Sequence, residues 1–479
     1  MIGRRTHQVG GRRGRVHRLQ AWGLVVAVAL TVVSAAPVDA AAPAAQAPPL
    51  VDTPEWASNA TKVWPGPPAA LTDWPMGGRG SYHEASNRAP STLAPATVSG
   101  LRAAWTTPAS TTTQFSAAAV VGDAVYSGGR TLNRRSTRTG GRVWSVSYGW
   151  GFPTTPAYWN GIVVAVADGP TPAVVAVDAA TGVLLWTHDL AQMSLSSPSI
   201  RGGRVFVGVG DRTVEAIRLA SGTVAWRWTA PSARFGFVSS PTTDGKTVYI
   251  SWSGGEQVAA LDEATGAQLW TRTLGPGSGQ TLDGFATNLI GGRLFVGTVN
   301  SDVWALEATT GDVVWTQTLP QPAWRNLMST QSVLVVPVGD RAAELRAYDP
   351  ATGRLLWQTD QGANDAAGFL AVAGGVVFRA ALDSGGGSNL LGVDAVTGAE
   401  VLRRSLTGRA GTALTVAGDV VYARTIDLAT GGTSFERFDL TSPVASQPLA
   451  PAVTSKPSPA QSGRIGRLGL TSSPEVRSR

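Results

Sequence analysis

The chain has 479 residues, 43% of them apolar and only 15% charged, with 57 glycines, 17 tryptophans and no cysteine. That composition suits a large core of short strands and tight turns, and it excludes disulfides, thiolate metal sites, a cysteine nucleophile and a lipid-bearing cysteine. The net charge of +7 sits at the two ends, residues 1–40 holding six arginines against one aspartate and residues 441–479 five basic groups against one glutamate. About −2 remains for residues 41–440, so the body has no basic face to drive nucleic-acid binding.

Residues 1–40 predict an export signal. Arg4, Arg5, Arg12, Arg13, Arg15 and Arg18 form a basic region, an apolar stretch follows from Ala21 to Ala36, and Val38-Asp39-Ala40 offers small residues for cleavage. The apolar run is shorter than the ~20 residues of a spanning helix, so no stable membrane span is expected after processing, and the protein is expected to be secreted or envelope-associated. Residues 41–70, rich in Ala and Pro, read as a linker.

From residue 71 to 440 one pattern recurs: Asp, two residues, Thr-Gly, three residues, Trp. It stands as Asp178…Thr181-Gly182…Trp186, Asp262…Thr265-Gly266…Trp270 and Asp349…Thr352-Gly353…Trp357. Degenerate copies end at Trp144, Trp226 and Trp315, and a last one places Leu402 where Trp is expected. With Trp105 included, these positions step by 39, 42, 40, 44, 45, 42 and 45 residues. Between them a polar small-residue strand such as Ser196-Ser197-Pro198 comes first. A Gly turn, a β-branched strand, a third strand ending in the Asp, and the Trp strand follow. Such a unit cannot cover both faces of its own sheet, so a closed ring is the stable solution. The fold is therefore predicted to be all-β: an eight-bladed β-propeller of four-stranded antiparallel blades.

Seven complete blades end at residues 144 to 402. Three further strands, near 413–416, 419–423 and 434–439, lack a fourth, while Leu101–Thr106 is a fourth strand with no blade before it. The N-terminal strand is expected to close the eighth blade and remove both sheet edges. Residues 441–479, Ser/Pro-rich and basic, are expected to be a disordered tail.

The Asp-x-x-Thr-Gly-x-x-x-Trp repeat and the entry segment Asp73-Trp74-Pro75-Met76-Gly77…Asn87…Leu93…Trp105 resemble the quinoprotein (pyrroloquinoline quinone, PQQ) propeller family, which includes BamB-like assembly factors. The resemblance implies that Trp144, Trp186, Trp226, Trp270, Trp315 and Trp357 dock neighbouring blades, and that Leu402 leaves its blade more loosely packed. For dehydrogenase members it implies a flat quinone at the channel mouth above a Trp floor. It also implies a Ca²⁺ held by carboxylate and amide oxygens, and in the alcohol dehydrogenases an adjacent cysteine pair. This chain has no cysteine. Asp283, Asn288, Asn326, Asn364 and Asp365 are loose Ca²⁺ candidates without shared spacing. Neither PQQ nor Ca²⁺ is expected to be bound.

Only His83 and His188 lie beyond the signal, too few for a serine–histidine triad or a His-rich zinc site, and no phosphate loop opens a helix. What remains is one loop face. An aromatic residue or Met precedes the first strand repeatedly (Phe115, Phe152, Met193, Phe237, Phe285, Met328, Phe369), with Tyr148 and Arg341 nearby. Trp150, Arg234, Trp252, Trp324, Arg325 and Asn326 are the candidate binding residues of this face. The expected function is a non-enzymatic binding or scaffold module whose partner is a protein or a cell-wall polymer. The alternatives are a PQQ- and Ca²⁺-dependent dehydrogenase of alcohols or sugars and a carbohydrate-binding propeller.

Overall fold

The computed structural model describes residues 73–77, 86–87, 91–108, 116–231, 238–252, 257–275, 287–298, 300–321, 327–330, 332–339, 344–360, 370–382, 387–427, 432–440 and 453–454. The chain divides into Met1–Thr53, which lies wholly outside these residues, and Pro54–Arg479, which carries the fold. The expected signal and linker thus fall outside what is described. Among the described residues no helix is long and apolar enough to cross a membrane.

Eight antiparallel blades follow one another: residues 118–146, 157–189, 199–229, 242–273, 288–318, 328–360, 371–405 and 409–439. The chain is an eight-bladed β-propeller, as its repeat predicts. Blade 3 shows the plan, with an inner strand Ser199–Arg201, then Arg204–Val209, Thr213–Arg218 and the outer strand Val224–Thr229. The middle strands are buried along nearly their whole length, because neighbouring blades cover both faces. Outer strands are exposed or half-buried except at the repeat Trp.

Blade 8 is closed as expected. Arg102–Thr106 pairs antiparallel with Thr433–Asp439, so the outermost strand comes from the opposite end of the sequence. A two-residue strand, Val453–Thr454, runs parallel to Trp144 and Ser145 on the outer edge of blade 1. The remainder of the tail is outside the described residues.

The repeat residues form the joints between blades. In seven places a positive-φ Gly faces the preceding blade's Trp so closely that a Cβ would stand 2.6–2.9 Å from the indole. The same indole N–H donates to the carbonyl three residues before that Gly. Examples are Trp144 to Ala179 at 3.1 Å, Trp226 to Glu263 at 3.0 Å and Trp315 to Pro350 at 3.0 Å. Trp105 makes the same bond to Thr137 at 2.8 Å across the blade 8–blade 1 joint. A β-bulge precedes each repeat aromatic: Leu184 and Trp186 face Val177 and Ala176, leaving Leu185 as the extra residue. The bulge turns the indole out of its own sheet toward its neighbour.

The blade 7–blade 8 joint is the exception. Blade 8 has no turn between its third and fourth strands, since these strands, Thr433–Asp439 and Arg102–Thr106, come from opposite ends of the propeller sequence. With no turn glycine to receive an indole, buried Leu402 takes the position. Arg404 clamps the joint instead, its guanidinium donating to the carbonyls of Leu101, at 3.0 Å, and Ser99.

Described residues of the entry segment pair with inner strands of two blades. Trp74 forms an antiparallel bridge with Val120 on the inner strand of blade 1. Ser86–Asn87 runs parallel to the inner strand of blade 7. Asp419, in the first turn of blade 8, then accepts hydrogen bonds from the Ser91 hydroxyl and the Thr92 amide, both at 2.7 Å.

Candidate functional site

The loops leaving each outer strand and those joining second to third strands share one face of the ring. Trp150 lies there, between blades 1 and 2, and is 64% exposed. It is the one exposed indole among the described tryptophans. Its mount is stiff. The Trp150 amide donates to the Asp168 carbonyl at 2.8 Å, the Asp168 amide to the Gly151 carbonyl at 2.8 Å, and the Phe152 amide to the Gly129 carbonyl at 2.7 Å. Gly149 and Gly151 have φ of +51° and +136°, and a Cβ on either would strike the backbone of Asp168 or Gly129. Only glycine permits this close approach of three loops. The result is an aromatic side chain held in solvent without a flexible loop beneath it.

Further apolar groups are exposed on the next inter-blade loop. Met193 and Leu195 are exposed on the loop between blades 2 and 3. Ser194 beside them is anchored by its hydroxyl to the Gly208 carbonyl at 2.6 Å. Tyr148 is half-buried against the core, and burial, with Asp189 nearby, pushes its phenol above the ordinary value. Of the residues expected to precede the inner strands, Phe152 is fully buried and Met193 exposed, while Met328, also fully buried, lies within its strand Met328–Ser329. Phe115, Phe237, Phe285 and Phe369 lie outside the described residues.

Trp252 is placed differently from Trp150. It is 2% exposed, bridged through its backbone to Val238 and packed edge-on against Trp228 with ring centroids 5.4 Å apart. It stiffens the blade 3–blade 4 joint and offers no contact surface. Arg234, Trp324, Arg325, Asn326 and Arg341 lie outside the described residues, as do Asp283, Asn364 and Asp365.

Asn288, the described member of the Ca²⁺ candidates, belongs to the joint between blades 5 and 6. Its amide donates to the Leu327 carbonyl at 3.3 Å and accepts from the Ser329 hydroxyl. It is one link in a belt of hydroxyl and amide groups around the inner strands. The Ala117 amide donates to Thr155 Oγ1 at 3.0 Å, the Thr155 amide to Ser197 Oγ at 3.2 Å and the Ser197 amide to Ser240 Oγ at 2.9 Å. These small polar residues, visible in the sequence as Thr-Thr-Pro and Ser-Ser-Pro, join blade to blade.

One buried ionic cluster lies between blades 2 and 3. Glu215, 3% exposed, accepts from His188 Nε2 at 2.6 Å and Arg227 Nε at 2.8 Å. Burial alone would raise its carboxyl, but these two partners outweigh burial and hold it below the ordinary range. Among the described residues no group of three His, Asp or Glu side chains is arranged to hold a metal ion.

The profile of the outer membrane protein assembly factor BamB family matches residues 128–259, 254–366 and 341–442. BamB of Yersinia pestis is 29% identical over 297 residues, 56% of this chain and 72% of that protein. A polyvinylalcohol dehydrogenase of a Sphingopyxis species is 28% identical over 167 residues, 30% of this chain but only 25% of that protein. Among solved structures, BamB from Moraxella catarrhalis superposes with a TM-score of 0.56 at 20% identity, covering 71% of this chain and 99% of that one. Quinohemoprotein alcohol dehydrogenase from Comamonas testosteroni superposes at 0.63 and 18% identity, covering 80% and 83%. The two structural likenesses are likenesses of fold.

Proposed function

Because this chain belongs to the BamB-like family of β-propeller repeats, we propose that it is a non-enzymatic binding platform of the cell envelope that holds a partner protein on its loop face. The observation that carries this reading is Trp150, an exposed indole on a mount locked by backbone hydrogen bonds to two neighbouring loops. Rigid aromatic anchors lose little freedom on binding and dominate interface energetics. Exposed Met193 and Leu195 on the next inter-blade loop offer further apolar groups to a partner's loop or strand. The BamB relatives are named as outer membrane protein assembly factors, which supports a protein as the partner and the envelope as the place. The basic and apolar stretches of residues 1–40 support export to it.

The test is in-cell photo-crosslinking from a reactive residue at position 193, with and without Trp150→Ala. A discrete protein adduct that falls at least about tenfold with Trp150→Ala, the loss of a ~1.4 kcal/mol contact, supports the proposal. An adduct to glycan alone, or a protein adduct indifferent to Trp150, would sink it.

A further inference from the structure

We infer that the axis of this ring is occupied by the chain's own entry segment, so that a quinone has no place there. The resemblance to quinoprotein dehydrogenases sets the flat cofactor at the channel mouth, which requires open space on the axis. The described residues of the entry segment lie along the inner strands that would line that space.

The segment lies on the inner strands by backbone pairing. The Trp74 amide donates to the Val120 carbonyl at 2.7 Å, and the Val120 amide donates back to the Trp74 carbonyl at 2.8 Å. One blade further on, the Tyr158 amide donates to the Pro75 carbonyl at 2.7 Å. Gly77 then stands against blade 3, where a Cβ on it would lie 3.3 Å from Ser197 Cβ. Ser197 precedes its inner strand on the loop-face side, so five residues climb from the first turn of blade 1, where the Gly122 amide meets Asp73 Oδ1 at 3.0 Å, to the channel mouth. On the opposite wall Ser86–Asn87 descends along Val372 and Ala373 of blade 7.

Two side chains of the segment are buried against the inner strands. Trp74, 2% exposed, packs in one cluster with inner-strand residues of four blades, among them Val120, Met328, Val372 and Val416. Met76 is buried with Ala157 and Ile200 of blades 2 and 3. Three hydroxyls on this side are engaged between blades: Thr155, Ser197 and Ser240 accept from the backbone of one blade while belonging to the next. The axis is thus a slot for an extended peptide, and the peptide is the protein's own.

The absence of cysteine makes the test clean. A Gly77→Cys/Ser197→Cys variant places its two Cβ atoms close to the ~3.5–4.5 Å range of a disulfide. The expected result is near-complete pairing on mild oxidation, read by non-reducing peptide mapping. In addition, equilibrium dialysis of the wild-type protein with PQQ and Ca²⁺ is expected to retain far less than one quinone per chain, reduced or oxidised variant alike. Stoichiometric PQQ retention by the wild type, lost when the disulfide closes, would overturn the inference. So would failure of the two cysteines to pair in a variant that melts like the wild type. Should that variant misfold, hydrogen exchange on the wild type decides. The amides of Val120 and Tyr158 are expected to be protected like those of the middle strands, and rapid exchange at both would mean that the segment does not lie on them.

Discussion

The indole of Trp186 lies against Gly222 of the next blade, where a Cβ would stand 2.8 Å from its ring, while its N–H donates to the Leu219 carbonyl at 2.7 Å. The Thr-Gly turn and the Trp of one repeat therefore serve different joints. The turn receives the preceding blade, and the Trp is delivered to the following one.

Trp186→Ala is expected to cost about 3–5 kcal/mol, the range for truncating a core aromatic. Gly222→Ala is expected to cost about 1–3 kcal/mol through overpacking and its positive φ. Since both break one contact, the double variant should lose less than the sum. Urea unfolding of the four proteins measures the coupling, and full additivity would show that the two residues do not form one joint.

Trp150 and Trp252 separate binding from packing. Trp252→Ala is expected to cost about 3–5 kcal/mol, and Trp150→Ala about 0.5 kcal/mol or less, as at other surface positions. Thermal melts of both variants check this. A large loss at position 150 would make that indole part of the scaffold.

At the joint without an indole, Leu402→Trp is expected to destabilise by about 1–3 kcal/mol, because the site has no turn glycine to accept the ring. Arg404→Ala is expected to cost about 1.5–3 kcal/mol through its lost charge-assisted bonds to Ser99 and Leu101. Limited proteolysis of the Arg404 variant should cut first near residues 91–101. Cleavage elsewhere, with unchanged stability, would leave the clamp without a role.

Glu215 gives a pH signature. Its folded carboxyl titrates below its unfolded one, so it contributes stability above the ordinary carboxylate range and loses that contribution as the pH falls through the folded value. Glu436, raised by burial, has the opposite sign: its contribution is greatest in acid and is lost as pH rises. The informative quantity is therefore the wild-type minus Glu215→Gln stability difference. It should be positive near neutral pH and shrink steadily on acidification to about pH 3. A difference constant with pH would mean that Glu215 is not held as a paired carboxylate.

Much of this architecture was legible in the sequence because a ring repeats. The recurrence of the Trp position every 39 to 45 residues marked seven blades, and the unpaired Leu101–Thr106 strand pointed to the fourth strand that blade 8 lacks. Leu402 was readable as a departure, but not as the consequence of a missing turn, since that turn is absent only because the first and last strands of the ring pair there. The bulges were invisible, for Leu185 or Ala225 carries no mark of an extra residue. The route of Trp74 and Met76 along the axis was hidden as well, because neither belongs to the period. At the loop face, Trp150 and Trp252 both stand outside the repeat register. What separates them is local: glycines flank Trp150, whereas Trp252 ends a strand opposite Trp228. Only three-dimensional placement turns that difference into exposure and burial.

The split eighth blade also sets an order of events in time. The Phe435 amide bonds to Thr107 across 328 residues of sequence, and Arg404 reaches Leu101 across 303. While the chain is being made, the closing strand Arg102–Thr106 waits for the three strands of blade 8 that come last in the ring, and every intermediate is an open arc with an unsatisfied sheet edge. Such an arc is the species most prone to pair with a stranger. Once the ring has shut, opening it demands that strand, clamp and axial segment let go together. The closed protein should therefore persist on the strength of a high unfolding barrier, outlasting what its equilibrium stability alone would suggest.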